Sequence, residues 1–259
     1  MHSIKILPKD NYRLPNVSVS TDDLIASVEE YLLNKLKKTV SPTQVDYLKD
    51  EFSGKVQNEV DYNIYGDAFD YYYFLTNFWK YYSYFKKSFK SNFTNIDVLD
   101  LGSGSGACSL AFLAILNERN KKTTVRLKLI DKSLMQMEKA AELLKVTEKH
   151  LKNLTVVLTM QKQDLRKWKS QSDTYDVILM GHMFSDTPTY TKDVLEQITM
   201  VLKPFGIAVI VERVDDMVNQ AIQETLKNKF VSVNHFINRA TREIPFRYSA
   251  YTIELPKVE

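Results

Sequence analysis

The chain of 259 residues is 44% hydrophobic and 26% charged, which is ordinary for a globular protein and excludes a disordered chain. Its formal net charge of +3 is too small to identify a nucleic-acid-binding protein. The one cysteine, Cys108, excludes a disulfide framework or a zinc finger within one chain, and we predict no metal site. Without a membrane-spanning run or a signal-peptide core, we expect a cytoplasmic protein with no membrane partner.

Residues 1–95 are predicted to form an N-terminal helical cap. An irregular arm over residues 1–20 precedes a helix near 22–38 that has apolar residues on one face. A second helix begins at Ser41, because serine can cap it, Pro42 fits the first helical position and Gln44 can complete a capping box.

Half of the chain's Phe, Tyr and Trp residues lie in the cap, between residues 62 and 93. Those at positions 71, 74, 78, 82, 85 and 89 are three or four apart, so they form a stripe along one helix. The stripe could pack in the core, or it could line a pocket for a flat or cationic ligand. We take Tyr65 and Tyr73 as candidate substrate contacts.

Residues 96–259 are predicted to form an α/β domain. Apolar runs that read as strands alternate with segments that read as helices, which is typical of a mostly parallel, doubly wound sheet. Two further β-like runs, 230–237 and 247–255, have no helix between them and predict an antiparallel pair. The predicted strands are 96–101, 125–130, 154–159, 175–180 and 207–212, and the predicted helices are 106–119, 134–150, 191–202 and 215–229.

The chain has only 7 glycines, and three of them lie together in the loop after the first predicted strand. Gly102, Gly104 and Gly106 let the backbone turn sharply and approach a ligand, and the following helix offers unpaired N–H groups. This loop, with Ala107, also satisfies the relaxed dinucleotide-binding pattern. The loop alone therefore leaves a dinucleotide and another adenosine ligand open.

Three carboxylates at predicted strand ends favour a cationic adenosine ligand over a dinucleotide. Asp100 would face a pyrophosphate at close range, but it suits a ligand that carries an ammonium group. Asp131 can accept hydrogen bonds from ribose hydroxyls, or it could simply start the next helix. Asp164 could accept from an adenine amine, or it could be a loop acid or a cap.

Residues 98–106 resemble motif I of the class I S-adenosylmethionine-dependent methyltransferases, in which an acidic residue and one further residue precede Gly-x-Gly-x-Gly. Residues 175–180 are similar to the family's fourth strand, residues 201–206 to the turn before its fifth, and the terminal runs to its sixth and seventh strands. The resemblance covers about residues 96–255 and implies a seven-stranded Rossmann-like sheet whose last strand is antiparallel. Phe205 departs from the family's usual glycine, which we expect to change a turn and not the cofactor site.

The resemblance implies that S-adenosylmethionine is the cofactor. Asp100 and the glycine loop would hold its methionine end, Asp131 its ribose, and Asp164 with Leu165 its adenine. The residues assigned to the cofactor are Asp100, Gly102, Ser103, Gly104, Gly106, Asp131, Lys132, Asp164, Leu165 and Gly181.

The acceptor is expected beside residues 181–188, which follow the fourth strand. His182 is the candidate general base, since its pKa suits proton removal at neutral pH, although it could instead line the cofactor or cap the loop. Asp186 could orient the base or occupy a turn. Phe184, and Arg213 after the fifth strand, are candidate substrate contacts. The segment lacks the Asn/Asp-Pro-Pro-aromatic signature of family members that methylate base amines or glutamine.

We therefore predict a methyltransferase that acts on a small molecule or a peptide by direct displacement. An RNA methyltransferase is the alternative, because basic residues cluster at 86–90, 119–128, 162–169 and 239–247. A non-catalytic binding protein on the same fold and a nucleotide-dependent oxidoreductase are the remaining readings. The acceptor atom and the oligomeric state do not follow from the sequence.

Overall fold

A seven-stranded sheet forms the centre of the computed structural model, which describes residues 17–52, 60–90, 93–119, 121–169, 173–184, 191–214, 216–227, 232–238 and 248–254. The strand order is β3-β2-β1-β4-β5-β7-β6. Strands β1 to β5 pair in parallel, whereas β7 is antiparallel to both β5 and β6. The strands are β1 Asn95–Leu101, β2 Thr123–Asp131, β3 Leu154–Lys162, β4 Tyr175–Gly181, β5 Leu202–Glu212, β6 Ser232–Asn238 and β7 Tyr248–Glu254.

This topology confirms the predicted doubly wound α/β sheet with an antiparallel last strand. Because successive side chains of a strand point to opposite faces, the sheet has two apolar faces, and each forms a separate core. Helices α4 Ala107–Glu118 and α5 Leu134–Thr147 cover one face. Helices α6 Thr191–Val201 and α7 Asp216–Leu226 cover the other.

The N-terminal helices α1 Val19–Tyr31, α2 Pro42–Phe52 and α3 Tyr62–Ser88 share the first of these cores. The capping box of α2 is confirmed: Gln44 N–H donates to Ser41 Oγ at 3.3 Å, and Ser41 N–H donates to Gln44 Oε1 at 3.0 Å. The division into a cap of residues 1–95 and a domain of residues 96–259 remains a prediction. The predicted arm lies outside the described residues up to position 16.

Helix α3 runs across the strands on the α4 side of the sheet. Its N-terminal end contacts α5, where Ser133 Oγ donates to Asn63 Oδ1 at 3.0 Å. Its C-terminal end contacts β7, where the hydroxyls of Ser83 and Tyr248 lie 3.0 Å apart. With 27 residues the helix is about 40 Å long, enough to cross most of the sheet.

The aromatic stripe of α3 is buried in the core, which agrees with the first of its two readings. Phe85 and Phe89 both make edge-to-face contacts with Phe112 of α4, with ring centroids 5.4 Å and 4.9 Å apart. Because the aromatic face of the helix lies against the core, its polar residues lie on the remaining faces, and some of them contact the loops at the strand ends. No helix in the described ranges is long and apolar enough to cross a membrane.

Several boundaries differ from the prediction, and two of these differences involve a change of backbone geometry. The predicted helix 134–150 is α-helical only to Thr147 and continues as the 3₁₀ turn Glu148–His150. Strand β5 begins at Leu202 rather than 207, and its register with β4 shifts, because residues 203–206 form an irregularity within the strand. Phe205 lies in this irregularity with φ 63° and a side chain exposed to solvent.

We predict that Phe205→Gly raises the free energy of unfolding by about 0.5–1 kcal/mol, because glycine adopts positive φ without the Cβ clash. Phe205→Ala is the matched control, since it removes the exposed ring and keeps the Cβ. Chemical denaturation of the three proteins checks this. An equal effect of both variants would contradict the assignment of strain to the backbone.

Candidate active site

The glycine loop is held against the end of β2. The N–H groups of Gly102 and Ser103 both donate to Ile130 O, at 2.8 Å and 3.2 Å. Gly102, Gly104 and Gly106 all have positive φ, which favours glycine at these turns. A Cβ placed on Gly104 would meet nothing within 4 Å, so the loop faces open space there. The loop thus offers an accessible backbone surface next to β1.

Asp100, at the end of β1, is fully buried behind this loop. Its Oδ2 accepts a hydrogen bond from Ser109 Oγ at 2.5 Å, but its Oδ1 has no partner among the described residues. Burial raises the pKa of Asp100 to about 7, and the hydrogen bond from Ser109 lowers it in part. Ser103 Oγ is a second buried atom at the loop with no partner in the described structure.

Asp131 fixes the glycine loop to the start of α5. Its two oxygens accept from Gly104 N–H at 2.9 Å and from Ser133 N–H at 2.8 Å. Burial raises the pKa of Asp131, while the hydrogen bonds from Ser133 and Gly104 lower it. The neighbouring Lys132 is exposed, and its ammonium lies over the ring of Tyr62, 5.9 Å from the centroid.

Asp164 caps the 3₁₀ turn Leu165–Lys167, since it accepts from Arg166 N–H at 2.9 Å. It also pairs with the Arg166 guanidinium, and this hydrogen bond lowers its pKa. Leu165 is buried beside it. The structure therefore gives Asp164 the cap role that the sequence left open, and an adenine contact would be additional.

Asp70 of α3 is a buried residue of the site that the sequence reasoning missed. It accepts from Ser105 Oγ of the glycine loop and from Lys139 Nζ at 3.2 Å. Lys139 also pairs with Asp67 at 2.5 Å. The available signal was a pair of acids three residues apart in an otherwise aromatic helix.

His182 lies directly after β4, beside α3. It has φ 52°, and its N–H donates to Val211 O at 2.8 Å. Its ring centroid is 5.7 Å from that of Tyr81. The hydroxyl of Tyr81 comes so close to Gly181 that a Cβ there would lie 2.5 Å from it, which explains the glycine.

Lys80 of α3 was also missed by the sequence reasoning. Its Nζ lies 3.5 Å from His182 Nε2 and 3.3 Å from Asn77 Oδ1. Burial and the positive charge of Arg213 lower its pKa to about 8. Desolvation, together with the charges of Lys80 and Arg213, lowers the pKa of His182 well below 6.5, so its imidazole is neutral at pH 7.

The four candidate substrate contacts do not all lie together. Arg213 and Tyr73 are close enough for the guanidinium to lower the tyrosine's pKa, against the larger raising effect of burial. Phe184 is fully buried, and its N–H donates to Glu212 Oε1 at 2.8 Å. Tyr65 stacks on Tyr47, about 22 Å along the helix from Lys80. Asp186 lies outside the described residues.

A doubly wound sheet with a glycine loop and acids at its strand ends defines an adenosine-ligand-binding α/β protein. A family model described as "Methyltransferase domain" matches residues 92–250. The chain belongs to this methyltransferase family, and S-adenosylmethionine is its methyl donor.

Solved structures of methyltransferases share this fold. A methyltransferase from Pyrococcus furiosus has 16% identity and a TM-score of 0.52, over 70% of this chain and 85% of that one. The plantazolicin methyltransferase BpumL, in complex with a monoazolic desmethylPZN analog and SAH, has 14% identity and a TM-score of 0.53. That overlap covers 92% of this chain and 100% of that one, so it includes most of the residues before position 92. No curated protein gives a significant match.

We predict that the ionisation of Asp100 destabilises the ligand-free protein. Because its folded pKa of about 7 exceeds the unfolded value of 3.8, the folded state holds the proton more tightly, and stability is lost as the pH rises through 7. When the pH is lowered from 8 to 6, the free energy of unfolding of the wild type should rise by about 1 kcal/mol relative to that of Asp100→Asn.

Denaturant unfolding of both proteins at the two pH values measures this difference. Asp97→Asn is the control, since hydrogen bonding to Arg126 lowers the pKa of Asp97 and it stays ionised over this range. A constant difference between the wild type and Asp100→Asn would contradict the raised pKa.

Proposed function

We propose that the donor's ammonium group pairs with Asp100, and this proposal depends on the buried, unpartnered Oδ1 behind the glycine loop. A buried carboxylate oxygen without a partner is costly, and an ammonium ligand supplies both a hydrogen bond and the opposite charge. Asp131, at the next strand end, would hold the ribose. Asp164 with Leu165 would hold the adenine.

The other residues assigned to the donor line the same edge of the sheet. Gly104 leaves room for the ligand against the backbone, and the unpartnered Ser103 Oγ supplies another polar group there. Lys132 is exposed at the start of α5, and Gly181 ends the strand beside β1. Gly102 and Gly106 would act by shaping the turn.

Bound S-adenosylmethionine supplies a methyl group on a positively charged sulfur, which is already activated for displacement. The protein therefore has to exclude water, orient the acceptor and, for a hydroxyl or protonated amine acceptor, take up a proton. We assign to His182 the role of taking up this proton. It is neutral at pH 7, and it would take up the proton at Nε2, because the Lys80 ammonium 3.5 Å from that nitrogen leaves the ring hydrogen on Nδ1.

We assign a small molecule or a peptide as the acceptor. Helix α3 covers the strand ends, with Tyr81 packed against His182 and Gly181, so the site admits a small group more readily than a folded RNA. The peptide reading is supported by the plantazolicin methyltransferase, whose structure holds a desmethylPZN analog. The cytoplasmic location remains a prediction from the sequence.

The basic clusters at 86–90, 119–128 and 162–169 give little support to an RNA acceptor, and the cluster at 239–247 lies outside the described residues. Within the described ranges, one basic residue of the first cluster, two of the second and one of the third pair with carboxylates, which reduces the positive charge available to phosphates. These ion pairs are Lys86–Glu118, Arg126–Asp97, Lys128–Asp173 and Arg166–Asp164.

We predict that SAH binds about tenfold more weakly at pH 6 than at pH 8, because Asp100 must be ionised to pair with the ammonium. Asp100→Asn should bind SAH weakly at both pH values, with the pH dependence lost. Isothermal titration calorimetry at each pH measures both proteins. Tight binding of NAD without a response to SAH would contradict the donor assignment.

Incubation with methyl-labelled S-adenosylmethionine and fractionated cell extract tests the acceptor class. We expect label in the small-molecule or peptide fraction and a loss of at least about tenfold in rate for His182→Ala. Label recovered only in RNA would contradict the acceptor assignment. Donor binding without transfer to any fraction would favour a non-catalytic binding protein.

A further inference from the structure

Lys80 occupies an unusual position at the candidate acceptor site. Its ammonium is desolvated, and its two hydrogen-bonding neighbours, Asn77 and His182, carry no negative charge at pH 7. Among the residues that the structure describes, no carboxylate oxygen lies within 4.0 Å of Lys80 Nζ. Surrounding a charged ammonium with neutral groups costs folding free energy, and a bound anion would offset that cost.

Arg213 and Glu212 are the charged residues of the described structure that affect the pKa of Lys80. Arg213 contributes the second cation, and it lowers the pKa values of both Lys80 and His182. Glu212 contributes the one carboxylate that affects Lys80, but it is fully buried and accepts the N–H of Phe184. A carboxylate placed against Lys80 Nζ would supply the direct anionic partner that the described residues do not supply.

The position of Lys80 and His182 favours contact with the acceptor over contact with the far end of the donor. His182 follows β4, and β4 is the neighbour of β1, whose loop we assign to the donor. The Tyr81 ring contacts His182, and Arg213 is close enough to Tyr73 to lower its pKa. An acceptor placed near the donor's methyl group would therefore lie against Lys80 and Tyr81.

We propose that Lys80 binds a carboxylate of the methyl acceptor, so that the substrate is a carboxylate-bearing small molecule or peptide. This inference rests on the proposed function of the same site. The carboxylate serves for recognition, and its direct contact is with the Lys80 ammonium. Lys80 is thus a substrate-binding and specificity-determining residue.

The test compares two probes that differ only in charge, 4-fluorobenzoate and 4-fluorobenzamide. Fluorine NMR measures their dissociation constants for the full-length protein, both alone and saturated with SAH. We expect the carboxylate to bind about tenfold or more tightly than the carboxamide. Lys80→Met should remove this preference, and Lys80→Arg should retain most of it.

Lys87→Met is the matched control, because Lys87 lies on the same helix with its ammonium over Phe236. It should leave the preference unchanged, and thermal melting checks that each variant is folded. Equal affinities for the two probes, or a preference that persists in Lys80→Met, would overturn the proposal. Weakened SAH binding in Lys80→Met with the probe preference intact would also overturn it, since the lysine would then serve the donor's own carboxylate.

The separate SAH titration distinguishes failure of the Lys80 proposal from failure of the proposed function. A wild-type protein that binds no SAH contradicts the donor assignment, whatever the probes do. The titration of the ligand-free protein still decides whether Lys80 selects a carboxylate.

Discussion

A buried ion pair between Asp70 and Lys139 joins helix α3 to α5, and Asp70 also accepts a hydrogen bond from Ser105 of the glycine loop. Loss of Lys139 from such a pair costs about 3–5 kcal/mol, because the Asp70 carboxylate stays buried, whereas Lys139 keeps Asp67 when Asp70 is removed. The pair joins three elements that meet at the ligand edge of the sheet: α3, α5 and the loop after β1. Movement of α3 would therefore disturb the donor loop and the acceptor pocket together.

Burial of charge at this edge is the second physical feature that the chemistry depends on. Burial raises the pKa of Asp100, to which we assign a cationic ligand group. Burial lowers the pKa of Lys80, to which we assign an anionic one. Both groups cost stability in the ligand-free protein, and under our proposals each cost would be offset by a ligand of opposite charge. The two sites lie at the ends of adjacent strands, β1 and β4, as a reaction between two bound molecules requires.

The sheet was predictable because strand and helix periods are local properties of the sequence, and so was the glycine loop with Asp100. Asp164 shows the limit of this reasoning, since a cap and a ligand contact have the same signature. Tyr65 and Tyr73 both belong to the aromatic segment, but only the three-dimensional packing places Tyr65 against Tyr47. Asp70 and Lys80 were missed because their roles depend on contacts with Ser105 and His182, which are 35 and 102 residues away in the chain.

The central claim is that α3 and the ends of β1 and β4 enclose one site for the donor and the acceptor. A crystal structure of the protein with bound SAH tests it most directly. We expect the SAH ammonium within about 3.2 Å of Asp100 Oδ1 and the sulfur on the side of the loop that faces His182 and Lys80. An ammonium directed away from Asp100, or a sulfur on the far side of α3 from His182, would contradict it.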